Sequence, residues 1–230
     1  MSVNAKAFLF PLIWTFALPF MAFSQSDSTM VDPRDSQIYR IGNIEGAVWM
    51  LENLNLETSM SYGVPDTIRA VKPHFKARWY HMNEIDSVCP PGWRLPDLDD
   101  WIGYFDYLSG ITGGEYQLKT ISVEYRLTDF KQYFDLFENG NPLDIQGAGI
   151  YEGEEFLFAP ASADYWIADL KTRKESNQKT FKLIRKSYPG TAHIHLYNEF
   201  THIHSHKFHL NPRRPDEIRR FMCRCIRKSD

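Results

Sequence analysis

The chain has 230 residues, a formal net charge of −3 and 15% aromatic residues. That length suffices for one sizeable core, or at most two small ones. The mild acidity argues against nucleic acid or an anionic membrane as the main partner, and the aromatic excess suits a domain that stacks flat ligands or buries long loops on ring faces.

Residues 1–24 read as an export signal. Lys6 supplies the positive n-region, an apolar run from Ala7 to Phe20 the h-region, and Ala22-Phe23-Ser24 the small-residue cleavage pattern, with the cut after Ser24. The run is too short for a membrane span, so the mature form is expected to have none. Pro11 and Pro19 weaken a helix there. No cysteine lies near the cut, which argues against a lipid anchor. The protein is therefore expected to be secreted, periplasmic or at the outer cell surface.

Residues 25–35 form a polar leader with Pro33, and residues 36–230 form the domain. Ile38-Tyr39-Arg40-Ile41 and Ala47-Val48-Trp49-Met50-Leu51 predict two short strands joined by a glycine-containing turn. Residues 52–76 show no clean period, and Pro65 and Pro73 mark loop. Trp79-Tyr80 reads as a short aromatic strand. The prolines of Cys89-Pro90-Pro91-Gly92-Trp93-Arg94-Leu95-Pro96 forbid helix. Asp97 then stands at a cap position, with Asp100 completing an acidic capping box. Leu98, Trp101, Ile102, Phe105 and Leu108 follow at spacings of three and four, ended by Gly110 and Gly113-Gly114. A second short helix is expected within 115–137. Strands are expected at 149–151, 155–158, 165–170, 180–184, 192–197, within 200–208, and at 220–226. Helix before strand, without βαβ alternation, is α+β order.

Of the three cysteines, Cys89 lies near mid-chain and Cys223 and Cys225 near the end. In an oxidising compartment this pattern reads as a staple closing a very large loop. Cys223 and Cys225 are two apart on an expected strand, so they share a face and cannot both reach Cys89.

Four blocks carry a family resemblance. Gly42-x-x-x-Gly46-x-x-Trp49-Met50-x-Glu52-Asn53-Leu54-Asn55 is similar to the opening of the Fibrobacter succinogenes major paralogous (FISUMP) domain family. Cys89-Pro90-Pro91-Gly92-Trp93-Arg94-Leu95-Pro96-x-x-x-x-Trp101 resembles its central signature, Tyr165-Trp166 its "YW", and Arg224-Cys225-Ile226-Arg227 its terminal motif. The blocks fall in family order across residues 38–227. The resemblance implies a C-type-lectin-like single domain, with a capped amphipathic helix and a twisted, loop-rich antiparallel sheet, exported by Gram-negative bacteria. It implies no established activity, and it implies that Cys89 pairs with Cys225. The chain departs from the family at Asp97, where Thr or Ser is usual, in its thin glycine-rich middle around Gly147 and Gly149, and throughout 190–210. Arg94-Leu95-Pro96 to Trp101 also resembles a signature of formylglycine-generating enzymes, which use a reactive cysteine pair on copper. Cys223 and Cys225 lack a matching context, so that likeness reads as shared architecture.

Candidate ligand-binding rings are Trp79, Tyr80 and Trp166. Trp93 and Trp101 could stack a sugar, but a tryptophan on an apolar helical stripe is more often core. Six of the eight histidines fall in seventeen residues, at 193, 195, 202, 204, 206 and 209. His193 and His195 share a strand face, as do His202, His204 and His206. If a turn joins the two strands, these faces oppose each other and three or four imidazoles converge, as Zn or Cu requires. The ordinary alternative is a solvated face alternating with Ile194, Leu196 and Ile203, or a surface that responds to mild acid. Calcium-lectin motifs and EF-hand spacing are absent. No hydrolase elbow, zincin helix, phosphate loop or dinucleotide fingerprint is present. A lone Cys223 reads as a buried thiol rather than a nucleophile. The expected function is non-enzymatic binding or adhesion at the cell envelope, with glycans or envelope proteins as partners. A transition-metal protein using the histidines and a copper or thiol oxidase are the alternatives.

Overall fold

The computed structural model describes residues 28–119, 126–132, 141–157, 161–168, 192–197, 200–205 and 219–229. The expected export signal, the strand at 180–184, His206 and His209 lie outside the described residues. Among the described residues, two sheets and two helices make an α+β architecture, and no helix is long and apolar enough to cross a membrane.

The first sheet begins earlier than the leader reading placed it. Strand β1 (Ser28–Val31) pairs antiparallel with β2 (Ile38–Ile44). The turn between them follows from Asp32-Pro33, a favourable opening pair for a reverse turn. The buried Asp32 carboxylate accepts from the backbone N–H of Arg34 (3.0 Å) and from its guanidinium (2.6 Å). That contact holds the Asp32 carboxyl below its ordinary range. Strand β3 (Ala47–Met50) follows through Glu45-Gly46, both at positive φ (48° and 77°). This two-residue loop matches strand twist, and glycine takes its second position without strain. Gly42 and Asn43 therefore lie inside β2 rather than in the turn.

Helix α1 (Asp66–Val71) occupies a stretch where the sequence shows no period. It is under two turns long and buries only Ile68, too little to write a 3.6-residue pattern. Strand β4 (Trp79–Tyr80) precedes α2 (Leu98–Thr112). The Asp97 side chain accepts from the N–H groups of Asp99 (2.8 Å) and Asp100 (3.1 Å), and Asp100 accepts in return from the Asp97 N–H (2.7 Å). The helix runs through Gly110 and stops at Gly113, whose φ of 69° is the left-handed cap. Asp97→Ala is expected to lower stability by about 1–2 kcal/mol, measured as a shift in the denaturant midpoint with unchanged slope.

The second sheet holds nine strands among the described residues. Strands β5 (Tyr116–Lys119) and β6 (Arg126–Gln132) form its start, where a helix was expected. Their register pairs Leu118 with Phe130, so the apolar residues serve a period of two. The order continues through β11 (Phe200–Ser205), β10 (Ala192–Leu196), β9 (Ala163–Ile167), β12 (Arg219–Met222), β7 (Ile150–Glu152) and β8 (Glu155–Leu157), with β4 also on β12. All pairings are antiparallel except β9 with β12.

The strand expected at 220–226 is divided between the sheets. After β12 the chain leaves the second sheet, and β13 (Ile226–Lys228) joins β3 in the first. Between them, the carbonyls of Cys223 and Cys225 accept from Leu54 and Met50 (2.9 and 3.0 Å). Cys89 and Cys225 are bonded, with sulfurs 2.08 Å apart, and Cys223 is a buried thiol.

Helix α2 lies between β3 and β9. The Trp101 ring sits 5.3 Å from Trp49 and 5.8 Å from Tyr165, and Ile194 and Leu196 join the same core. Trp101 is fully buried, so it locks the helix and offers no sugar platform. Trp93 is partly buried under the Arg227 guanidinium, 5.4 Å from its ring. A second core on the opposite face of β9 gathers Trp166, Phe221, Tyr80, Met50 and the disulfide sulfurs.

Candidate functional site

The three candidate rings are core residues. Trp79, Tyr80 and Trp166 are each 0% exposed. Their polar tips donate to backbone carbonyls: Trp79 Nε1 to Gly149 (2.9 Å), Trp166 Nε1 to Tyr80 (2.8 Å) and the Tyr80 hydroxyl to Leu56 (2.9 Å). Burial pushes the Tyr80 phenol well above its ordinary range. Strand β4 is covered on both faces, and its rings present nothing to a ligand.

A concave surface lies elsewhere. Two adjoining hollows of about 560 and 870 Å³ share Gln37, Asn55, Phe75 and Lys76 in their linings. They run between the start of β2, the segment after β3, and the loop after α1. Asn55 Nδ2 donates to Gln37 Oε1 (3.0 Å), while Gln37 Nε2 donates to the Asn55 carbonyl (2.9 Å) and to Asp35 (2.5 Å). The Asn55 N–H donates to the Tyr39 hydroxyl (3.1 Å), so the amide pair is held from both sides. Phe75 is half-buried, with Lys72 Nζ 5.9 Å from its ring. Lys72 Nζ donates to the Gly147 carbonyl (3.1 Å), and burial draws its pKa down against the pull of Asp144. Amide, carboxylate and ammonium groups around one ring form a surface that can donate to and accept from a polar ligand while covering an apolar face.

In the sequence, Asn55, Lys72, Phe75 and Lys76 fall in the stretch 52–76 that shows no period, and Asp35 in the polar leader. The signal available was Lys72-Pro73-His74-Phe75-Lys76, an aromatic among cationic side chains.

The histidine strands do oppose each other. His195 pairs with His202, and His193 with His204, across β10 and β11. On the other side His195 pairs with Asp164 of β9, and beyond His202 lies Asp129 of β6. Asp164, His195, His202 and Asp129 thus form one row across four strands. The Asp164 carboxylate, 0% exposed, accepts from His195 Nδ1 through one oxygen and from the Ser162 hydroxyl (2.5 Å) through the other. His195 is itself only 8% exposed, so this face is not a plain solvated one. Tyr197 flanks the pair, 6.3 Å from His195 and 6.0 Å from His202, ring to ring. Ser162 bonds to the aspartate and not to the imidazole, so this is not a nucleophilic triad. Among the described residues, no three His, Cys, Asp or Glu side chains are grouped closely enough to hold a metal ion.

Cys225 is committed to Cys89, and Cys223 is buried, which pushes its thiol well above the ordinary range. A paired-thiol copper centre at 223 and 225 would need that disulfide open. No protein-family model, curated protein or solved structure matches this chain.

Proposed function

We propose that this chain is an exported binding module of the bacterial cell envelope, of C-type-lectin-like fold and FISUMP type, that recognises glycans through the groove centred on Gln37, Asn55 and Phe75. The observation that carries the reading is the groove itself: an amide pair held rigid by its own hydrogen bonds, facing a half-buried ring across a hollow of about 870 Å³. Pre-ordered amides lose little entropy on binding; with both Gln37 side-chain N–H groups committed, the pair offers a second lone pair on Gln37 Oε1 and the second N–H of Asn55 Nδ2 to neighbouring hydroxyls. The Phe75 ring can cover the apolar face of a sugar. The leader-like amino terminus, the four family-like blocks and the disulfide support export and fold.

Glycan arrays and polysaccharide pull-downs with the chain lacking residues 1–24 test the proposal. Binding is expected, and Phe75→Ala and Gln37→Ala are each expected to weaken it at least about tenfold, the loss of roughly 1.4 kcal/mol, with thermal melts showing that both variants are folded at the assay temperature. Silence in both assays, or binding indifferent to both substitutions, would overturn it.

A further inference from the structure

We propose that the groove selects acidic saccharides, seating the anionic group of a uronate or sulfated sugar against the ammonium groups of Lys72 and Lys76 while the sugar ring lies on Phe75. This names the ligand class of the groove and so rests on its reading as a glycan site.

The charges of the groove are the first support. Among the described residues its lining holds four carboxylates, and each is already engaged by the chain. Asp35 accepts from the Gln37 side-chain amide (2.5 Å), Glu52 from the Arg40 guanidinium (3.1 Å), Glu57 from Arg78 (2.8 Å) and Asp144 from the Gln146 amide (3.0 Å). The other guanidinium groups of the lining, Arg34 and Arg69, stand on Asp32 (2.6 Å) and Asp66 (3.5 Å). Lys76 is exposed and has neither a hydrogen bond nor an ion pair among the described residues. Lys72 spends one N–H on the neutral Gly147 carbonyl (3.1 Å), and its remaining N–H donors are unspent. The unspent charge of the groove is therefore positive, and it lies on two lysines that bracket Phe75 in the chain.

The second support is the position of Lys72. It is half-buried, with its Nζ 5.9 Å from the centroid of the Phe75 ring. Burial disfavours its charged form, opposed by the pull of Asp144, which makes no ion pair with it. A partly desolvated ammonium facing a neutral carbonyl gains more from an arriving anion than a fully hydrated one does. A pyranose lying on Phe75 carries its carboxylate or sulfate at the rim of the sugar, within reach of an ammonium beside that ring. Lysine is a compact point charge without the fixed fork of arginine, so the pair separates charged from neutral sugars without demanding one anion geometry. The whole chain carries a net charge of −3, so its overall field does not draw anions; the preference is made at contact.

The test uses the tag-free chain lacking residues 1–24, titrated by calorimetry with polygalacturonate, alginate and hyaluronan, each beside its carboxyl-reduced neutral counterpart, and with dextran sulfate beside dextran. At least one charged form is expected to bind about tenfold or more tightly than its neutral counterpart, and comparing the uronates with dextran sulfate shows whether carboxylate or sulfate is the anion. Lys72→Gln and Lys76→Gln are each expected to cut that preference about threefold and together to abolish it, with affinity for the neutral form unchanged. Lys76→Arg is expected to keep the preference, Phe75→Ala to weaken both forms, and Lys228→Gln, exposed on β13, to change neither. Thermal melts check that every variant is folded at the assay temperature. Equal binding of charged and neutral forms, or a preference that survives the Lys72→Gln/Lys76→Gln double variant, overturns this inference alone when Phe75→Ala still weakens binding. Silence of every polysaccharide, charged and neutral, overturns the glycan reading and this inference with it.

Discussion

Arg224→Ala is expected to destabilise the domain by about 3–5 kcal/mol, the range reached when several buried partners are orphaned together. Arg224 is 1% exposed. Its Nη1 donates to the carbonyls of Leu51 (2.8 Å) and Leu143, and its Nη2 to Asn53 Oδ1 (2.5 Å). The Tyr165 hydroxyl donates to the same Asn53 oxygen (2.9 Å), and the guanidinium carbon lies 5.5 Å from the Tyr165 ring. One side chain thus joins the end of β3, the segment at 143, and β9. Removing it leaves at least three oxygens without this donor in a dry core, where each orphaned group costs about 1–3 kcal/mol. Arg224→Met tests the role of the hydrogen bonds. If the cost of burying the charge outweighed the bonds it makes, methionine would be neutral or stabilising, as apolar replacements of buried ions often are. Because the guanidinium serves as a hub for neutral acceptors, Arg224→Met is expected to destabilise as well. Guanidinium chloride unfolding followed by the buried tryptophans measures both, and a methionine variant as stable as the parent would refute the hub.

Breaking the Cys89–Cys225 bridge has the second large effect. The two residues are 136 apart in sequence, a separation worth about 5 kcal/mol in the chain-entropy description, and loss of such a bridge costs about 2–5 kcal/mol in practice. The same junction is also held by reciprocal backbone bonds between Arg94 and Ile226, both 2.8 Å, and by the Arg34 guanidinium, which donates to the Cys89 carbonyl (3.3 Å). The Cys89→Ala/Cys225→Ala variant is therefore expected to fold with a denaturant midpoint lowered by the equivalent of about 3–5 kcal/mol. Thiol titration of the unreduced parent is expected to find no reactive group in the native state and one after denaturation, since burial both shields the Cys223 thiol and raises its pKa. Peptide mapping that found 89 and 225 unlinked would contradict the pairing.

The sequence blocks around Trp49, Cys89, Tyr165 and Cys225 acquire physical roles from these contacts. Trp49 packs on α2, Asn53 accepts from Arg224, and Asn55 belongs to the groove. Tyr165 meets both Arg224 and Trp101. Cys225 ties back to Cys89, and Arg227 covers Trp93. Trp49, Asn53, Tyr165 and Arg224, scattered along the chain, thus meet beneath the helix.

Local chemistry made part of this legible. The ends of α2 follow from Asp97, Asp100 and Gly113, and its buried stripe from a period carried through fifteen residues. The β2–β3 turn follows from a glycine placed where φ must be positive. Local signals misled where two conformations fit the same letters: residues 115–137 admit a short helix, but Leu118 and Phe130 gain a strand partner in each other. At 220–226 an apparently continuous strand divides, because its backbone groups find partners in two different sheets.

By itself, then, the sequence determined the capped helix, the β2–β3 turn, the period-two runs and the shared faces of the histidines. All of these are set by residues within a few positions of each other. Only the tertiary structure decided that Trp79, Tyr80 and Trp166 are core and that a groove forms around Gln37, Asn55 and Phe75. It alone set His202 opposite His195 and Asp164 behind it. A period of two says which residues share a face; which strand stands opposite, and what covers that face, depends on pairings between segments far apart in the chain.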